Sequence, residues 1–136
     1  MRTPRQDVTE TEMAILQVLW DRGTANRRQV TDALYPGGGP SHYATVQKLL
    51  ERLEAKGYVR HTRDPQGVLL FTARVGREEF ISFRLRDMAD KLCGGSVTPL
   101  LMNLVRAQPL TPQELQELQD LVKELGRQKR RRGDKS

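Results

Sequence analysis

The chain has 136 residues, of which 37% are hydrophobic and 29% charged, and its net charge at pH 7 is +6. It has no apolar run near the ~20 residues that a membrane span needs, and no apolar segment typical of a signal peptide follows its polar start, Met1 to Thr9. Its single cysteine, Cys93, excludes an intramolecular disulfide, so we expect a protein of the reducing cytoplasm.

Charge is distributed unevenly along the chain. Residues 1–75 carry 11 Lys and Arg against 8 Asp and Glu, residues 76–126 carry 6 against 8, and residues 127–136 carry 6 against 1. A basic front part favours nucleic-acid binding there. The basic C-terminal residues 127–136 are weaker support for nucleic-acid binding, since terminal Lys and Arg runs are usually just solvated.

Two capping boxes open the first two predicted helices. Thr9–Glu12 is the first, and its helix runs to Gly23, with Trp20 expected in the core. Asn26–Gln29 is the second, and it begins a short helix that stops before Pro36. These signals predict two helices joined by a short connection.

Arg27 and Arg28 occupy the first turn of the second helix, where the helix dipole disfavours cations. Cations tolerated at that place indicate an anionic partner such as a phosphate. Two solvated arginines are the alternative interpretation, and the sequence alone gives it equal weight.

The third predicted helix, residues 41–56, is the element on which our interpretation depends. Its apolar residues recur at i, i+3, i+4 and i+7 and share one face: Val46, Leu49, Leu50 and Leu53. The opposite face carries small, hydrogen-bonding or cationic side chains: Ala44, Thr45, Gln47, Lys48, Arg52 and Lys56. Ser41 is the predicted N-cap and Gly57 the stop signal. We interpret it as a recognition helix; an ordinary amphipathic surface helix is the alternative.

A hairpin follows this helix. Residues 58–63 alternate apolar and polar, Asp64–Gly67 is a turn signal, and residues 68–72 return as a second strand. Three helices and a hairpin predict a mainly α protein whose residues 1–75 form a winged helix-turn-helix domain with a two- or three-stranded wing. The wing tip, with Arg63 and Gln66, is expected beside the DNA backbone.

The predicted DNA contacts fall into two groups. Thr45, Gln47 and Lys48 are the candidates for base edges, because glutamine pairs bidentately with adenine and a threonine methyl meets the thymine methyl. Phosphate contacts set the register without reading sequence. They are assigned to Ser41, Tyr43, Arg27, Arg28, Arg52 and Arg63, and Ala44 completes the DNA-binding face.

Residues 76–127 are predicted to be a helical dimerisation domain. Helices begin at Arg77, at Thr98 and at the capping box Thr111–Glu114, and Gly94 and Gly95 break the first of them. Three such short amphipathic helices close a core by interdigitating with the same helices of a second chain. The predicted dimer residues are Phe80, Leu92, Leu100, Leu101, Leu104, Leu115, Leu118, Leu121 and Val122. A basic disordered tail is expected over residues 128–136.

The order and spacing of these segments resemble the penicillinase repressor family, the BlaI, MecI and CopY group. The resemblance covers nearly the whole chain and is carried by residues 9–20, 43–58, 77–80, 94–96 and 110–121. It implies a bacterial homodimeric repressor of palindromic operators. In the penicillinase branch a membrane sensor-protease pathway ends repression by cleaving the dimer domain, and the matching bond here is Asn103–Leu104. The copper-sensing branch ends in clustered cysteines, which this sequence lacks after Cys93.

Two other functions remain open on the sequence. One is a winged-helix regulator released by a small molecule, held between dimer helices in an apolar pocket of Phe80, Phe83 and Leu104. The other is a protein-interaction module whose winged helix binds protein. We expect no enzyme, cofactor or metal, because there is no phosphate-binding loop or metal-ligand spacing and no obvious carboxylate or nucleophile partner for His42 or His61.

Overall fold

The first structural unit combines three helices with a three-stranded antiparallel sheet. The computed structural model describes residues 7–133, with side chains to residue 131, and the chain divides into two units between Arg84 and Leu85. The elements of the first unit are α1 (Glu10–Arg22), β1 (Thr24–Asn26), α2 (Arg27–Leu34), α3 (Pro40–Ala55), β2 (Val59–Arg63) and β3 (Leu69–Ala73). This is the order of a winged helix-turn-helix, as predicted.

Both predicted capping boxes of the first unit are present. The Thr9 hydroxyl accepts from the Glu12 N–H at 3.2 Å, and the Glu12 carboxylate accepts from the Thr9 N–H at 2.9 Å. The same reciprocal bonds join Asn26 and Gln29, at 2.8 and 2.9 Å. Each box satisfies backbone donors that a helix start otherwise leaves open.

The start of α3 differs from the prediction. Ser41 was expected as the N-cap, but the N-cap is Gly39. Pro40 takes the first helical position, where its fixed φ fits the helix and its missing N–H is not needed. The Nδ1 atom of His42 accepts from the Gly39 N–H at 3.2 Å, and the His42 ring lies 4.6 Å from that of Tyr35.

The end of α3 follows the prediction. Gly57 has φ 90°, a left-handed conformation that glycine adopts without strain. Its N–H donates to the Glu54 carbonyl at 3.0 Å, and the Tyr58 N–H donates to the Leu53 carbonyl at 2.9 Å. These are the two bonds of a Schellman motif, which stops the helix and directs the chain into β2.

The apolar face of α3 lies in the core of the first unit. Its four apolar residues, Val46, Leu49, Leu50 and Leu53, are at most 8% exposed. They belong to one cluster with buried residues of α1, α2 and the sheet, among them Ile15, Leu16, Leu19, Val30 and Phe71. The predicted periodicity is therefore confirmed, and most of the opposite face of α3 is left to the solvent. Lys56, predicted on that face, is only 19% exposed because it pairs with Glu12.

The sheet has the order β1-β3-β2. Thr24 pairs with Thr72 across β1 and β3, and Arg63 pairs with Leu69 across β2 and β3. The predicted turn is present: the Gly67 N–H donates to the Asp64 carbonyl at 2.9 Å, and Gly67 has φ 83°. The sequence predicted a wing of two or three strands, and the short strand β1 is the third.

The first part of α4 (Arg77–Leu92) packs into the first unit. The Phe80 ring lies 5.5 Å from Trp20 and 5.9 Å from Tyr58, and the indole N–H of Trp20 donates to the Val75 carbonyl at 2.8 Å. Phe80 was predicted as a dimer residue; it is only 4% exposed, because this aromatic cluster already covers it. For the same reason the units divide inside α4, whereas the sequence placed the boundary after residue 75.

The second unit contains the rest of α4 with α5 (Thr98–Ala107) and α6 (Pro112–Gly133). The predicted capping box of α6 forms: Thr111 and Glu114 exchange bonds of 3.0 and 3.1 Å. Disorder was expected from residue 128, but α6 continues to Gly133, because residues 127–132 are all strong helix formers and cations suit a helix C-terminus. Residues 134–136 of that tail lie outside the described residues. Across residues 7–133 the helices are too short or too polar to cross a membrane.

A buried ion pair joins the start of α1 to the end of α3. Glu12 is 1% exposed and accepts from the Lys56 ammonium at 2.7 Å, while Lys56 also donates to the Asp7 carbonyl at 2.8 Å. Burial raises the pKa of Glu12, but the hydrogen bonds from Lys56 and Thr9 outweigh burial, and the pKa lies below its ordinary value. The charged pair therefore holds the C-terminal end of α3 against α1.

Replacing Lys56 with methionine should leave a buried carboxylate without its cation. Breaking a buried pair costs about 3–5 kcal/mol, and we expect the lower end, about 3 kcal/mol, since Lys56 keeps 19% exposure. The measurement is urea unfolding at pH 7. Adding Glu12→Leu to Lys56→Met should recover most of the loss, because neither charge is then buried alone.

The same variant has a pH signature. A glutamate whose pKa is lowered by folding stabilises the fold above its unfolded-state pKa, and that contribution disappears as the pH falls through the folded-state pKa. The stability gap between wild type and Lys56→Met should therefore close as the solution is acidified. A gap of constant size from neutral to acid pH would show that the Glu12 charge is not its source.

Candidate nucleic-acid interface

The solvent face of α3 displays the residues that the sequence assigned to DNA. Five of them are exposed, namely Ser41, Ala44, Thr45, Lys48 and Arg52, and two are half-buried, Tyr43 and Gln47. Since the apolar residues of α3 occupy the core, the whole predicted contact set on this helix is directed outward. One helix thus provides a continuous polar and cationic surface.

A groove runs between the start of α2, the solvent face of α3 and the wing. We call it the arginine groove; it is lined by Asn26, Arg27, Arg28, Tyr43, Gln47, Arg63, Val68 and Leu69. Three of these residues are arginines and none is acidic. Guanidinium groups match the geometry and charge of phosphate oxygens. The groove is thus a local concentration of positive charge suited to an anion.

The arginines come from two elements that the fold brings together. Arg27 and Arg28 form the first turn of α2, which contains no acidic residue to offset them. Arg63 ends β2, and its guanidinium donates to the Gly67 carbonyl at 2.6 Å, which holds it at the wing turn. The fold therefore places in one groove three of the four arginines that the sequence had linked to phosphate, and Arg52 lies outside it.

Thr45 and Gln47, two candidates for base contacts, are both hydrogen-bonded within the protein. The Thr45 hydroxyl donates to the Ser41 carbonyl at 3.0 Å, which leaves its methyl group and the oxygen lone pairs for a partner. The Gln47 Oε1 atom accepts from the Arg27 guanidinium at 3.4 Å, and its Nε2 donates to the Glu51 carboxylate at 3.1 Å. Both side chains are thus oriented before any partner binds.

The two histidines have structural contacts that the sequence did not reveal. His61 was thought to lack a carboxylate partner, but its Nδ1 lies 2.6 and 2.8 Å from the two carboxylate oxygens of Glu54. The Schellman turn brings β2 back along α3, so this contact ties the wing to the helix. His42 caps the N-terminus of α3 through Gly39.

Some residues of the site were missed, and others lie apart from the groove. Asn26, Val68 and Leu69 line the groove, although the sequence predicted only a helix cap for Asn26 and only strand positions for Val68 and Leu69. Their place depends on how α2, α3 and the wing pack, which no local pattern gives. Glu51 was also missed, although its i+4 spacing from Gln47 was visible. The remaining predicted contacts on α3 lie outside the groove lining: Ser41, Ala44, Thr45, Lys48 and Arg52.

The predicted dimer residues of the second unit are largely accessible. Leu92 is 74% exposed and Val122 66%, and Leu100 is half-buried. The others are between 38% and 53% exposed: Leu101, Leu104, Leu115, Leu118 and Leu121. The candidate cleavage bond, Asn103–Leu104, lies inside α5, where the Asn103 amide donates to the Pro99 carbonyl at 2.7 Å.

Similar proteins include two curated relatives and several solved structures. A protein of Latilactobacillus sakei, described as an uncharacterized 16.5 kDa protein in the ptsI 3′ region, is 24% identical over 116 residues, 85% of this chain and 78% of that protein. The penicillinase repressor of Staphylococcus aureus is 16% identical over 127 residues, 93% of this chain and 99% of that protein.

Among solved structures, the DNA-binding domain of the repressor BlaI has a TM-score of 0.45 and 22% identity, covering 58% of this chain and 93% of that one. The YusO protein from Bacillus subtilis has a TM-score of 0.47 and 18% identity, covering 88% and 75%. The family model described as penicillinase repressor matches residues 8–124. Because that match spans most of the sequence, the chain belongs to the penicillinase repressor family.

Proposed function

We propose that this member of a family of transcriptional repressors binds a palindromic operator as a homodimer and is released by proteolysis in its dimerisation helices. The observation that carries the proposal is the arginine groove beside the solvent face of α3. A dimer bound over a promoter excludes the polymerase.

The arginine groove and the solvent face of α3 have different roles in DNA binding. Arg27, Arg28 and Arg63 hold phosphates, which sets the position of the protein without reading sequence. An α-helix fits the major groove of B-DNA, where Thr45 and Gln47 reach base edges. The exposed cations Lys48 and Arg52 extend the positive surface along α3.

The test of DNA binding compares an arginine of the groove with a residue proposed to contact base edges. Arg28→Ala should weaken binding to all duplexes alike and lower the salt dependence by about one counterion, since it removes a phosphate contact. Gln47→Ala should cost ~1–3 kcal/mol at the operator and relax the preference at one base pair. The measurement is titration of a selected operator and its single-site variants at several fixed salt concentrations.

Arg74→Ala is the matched control, because exposed Arg74 follows β3 at the end away from the wing turn. It removes the same charge and should have the smaller effect. Equal losses for Arg28→Ala and Arg74→Ala would remove the groove from the interface. Binding that neither variant changes, and that salt does not weaken, would contradict the proposal as a whole.

Dimerisation is supported by the exposure of α5 and α6 in the second unit. No residue of α5 is buried, and every described side chain of α6 is exposed. Exposed apolar faces of this extent mark interfaces rather than free surface. A second copy is the natural partner, because a two-fold dimer buries the same faces on both chains and matches the two-fold symmetry of a palindromic operator.

Leu118→Asp tests this interface. Leu118 is already 38% exposed in the single chain, so the substitution should spare the fold of the chain while placing an unpaired charge in the dimer core. We expect monomers by sedimentation at micromolar concentration and weaker operator binding. Gln116→Asp, on the opposite side of α6, is the control and should remain dimeric. A monomeric wild type would overturn the dimer model.

Release by cleavage is supported by the position of the Asn103–Leu104 bond. It lies in the middle of α5, so a cut there separates Leu104 and all of α6 from the first unit. The lost segment carries exposed leucines and two exposed valines, and their burial in a dimer is worth about 1.5–3 kcal/mol for each fully covered side chain. The remaining part keeps α3 and the arginine groove but loses the affinity that a dimer gains by binding two half-sites at once.

A chain that ends at Asn103 reproduces the cleaved product. It should fold in its first unit, sediment as a monomer and bind the operator ~100-fold or more weakly than the full chain, because the effective concentration between half-sites is lost. Both chains are titrated at one salt concentration. If their affinities are equal, the helices after Asn103 do not support DNA binding, and release at this bond must be abandoned.

A further inference from the structure

Glu51 is an acidic residue on the cationic side of α3. It is exposed, and its neighbours along the helix include Lys48 and Arg52, which are also exposed. A carboxylate close to DNA phosphates opposes binding by charge repulsion. Since this charge weakens the attraction that the surrounding cations provide, its place next to Gln47 points to a different role.

The contact of Glu51 identifies that role. Its carboxylate accepts from the Nε2 atom of Gln47 at 3.1 Å, one turn away on the same helix. On the other side of the amide, the Arg27 guanidinium donates to Oε1 at 3.4 Å. The amide of Gln47 thus lies between the Glu51 carboxylate, which only accepts hydrogen bonds, and the Arg27 guanidinium, which only donates them.

These neighbours allow one orientation of the amide. Turning it by 180° would place the Gln47 N–H groups against the Arg27 guanidinium and its oxygen against the Glu51 carboxylate, and both contacts would be repulsive. In the observed orientation Arg27 occupies one lone pair of Oε1, and Glu51 occupies one hydrogen of Nε2. One Oε1 lone pair and one Nε2 hydrogen remain, which is the pair that a bidentate contact with a base requires.

We propose that Glu51, together with Arg27, fixes the amide orientation of Gln47 and thereby makes Gln47 specific for adenine. Adenine presents an N–H donor and an acceptor in the major groove, whereas guanine presents two acceptors. An amide free to turn adapts its N–H groups to guanine, but a fixed one holds its oxygen against a guanine acceptor. Glu51 is therefore a positioning residue for specificity, and this role rests on the proposed DNA-binding function.

The experiment measures a specificity ratio, which a change in folding alone does not move. Wild type, Glu51→Gln, Gln47→Ala and the double variant are titrated at one salt concentration with a selected operator and all its single-base variants. Gln47→Ala locates the base pair that Gln47 reads. At that pair Glu51→Gln should reduce the preference for adenine over guanine by about tenfold and leave the ratios at other positions unchanged.

Two comparisons separate positioning from charge. Asp32→Asn makes the same change in net charge at an exposed residue of α2 and should raise affinity for all sequences slightly without altering the adenine preference. In the Gln47→Ala background, Glu51→Gln should have no further effect on the ratio, because the amide it positions is absent.

An unchanged ratio in Glu51→Gln overturns the inference, and so does an equal change with and without Gln47. If Gln47→Ala alters no base preference while wild type still selects its operator, this inference fails and the proposed function stands. A wild type that shows no sequence preference and no salt-dependent binding overturns the proposed function and this inference with it.

Discussion

Burial of the apolar stripe of α3 is the interaction on which the rest of the site depends. Its four side chains, Val46, Leu49, Leu50 and Leu53, are at most 8% exposed. At about 1.5–3 kcal/mol each, they contribute roughly 6–12 kcal/mol before entropy costs, comparable with the ~5–15 kcal/mol net stability of a whole domain. A helix cap or surface contact is worth about 1 kcal/mol. The stripe therefore decides how α3 is rotated and which residues face the solvent.

Separate contacts hold the two ends of α3. Pro40 at the first helical position and the Schellman motif at Gly57 set its length. Lys56 joins its end to Glu12 in α1, and Glu54 meets His61 of the wing. With both ends fixed, the distance from α3 to the arginines of α2 and β2 is set by the fold, and the arginine groove exists before any ligand binds.

Local patterns were enough to predict most of the fold, whereas contacts between distant residues were not predictable. The capping boxes, the α3 periodicity and the wing turn depend on residues within a few positions, so the sequence displays them directly. The Glu12–Lys56 pair joins residues far apart in the chain, and Phe80 was assigned to a dimer because its cover by Trp20 and Tyr58 arises only in the folded unit. The candidate site followed the same rule: its arginines were found from helix and strand positions, but the groove itself was not.

Backbone amide shifts of ¹⁵N-labelled protein, followed during titration with a short operator duplex, most directly measure whether the solvent face of α3 and the arginine groove hold DNA. The largest shifts should fall at residues 26–28, 41–52 and 63–69, and added salt should reverse them. Shifts confined to the second unit or to α1, or spectra unchanged by DNA at low salt, would contradict the central claim.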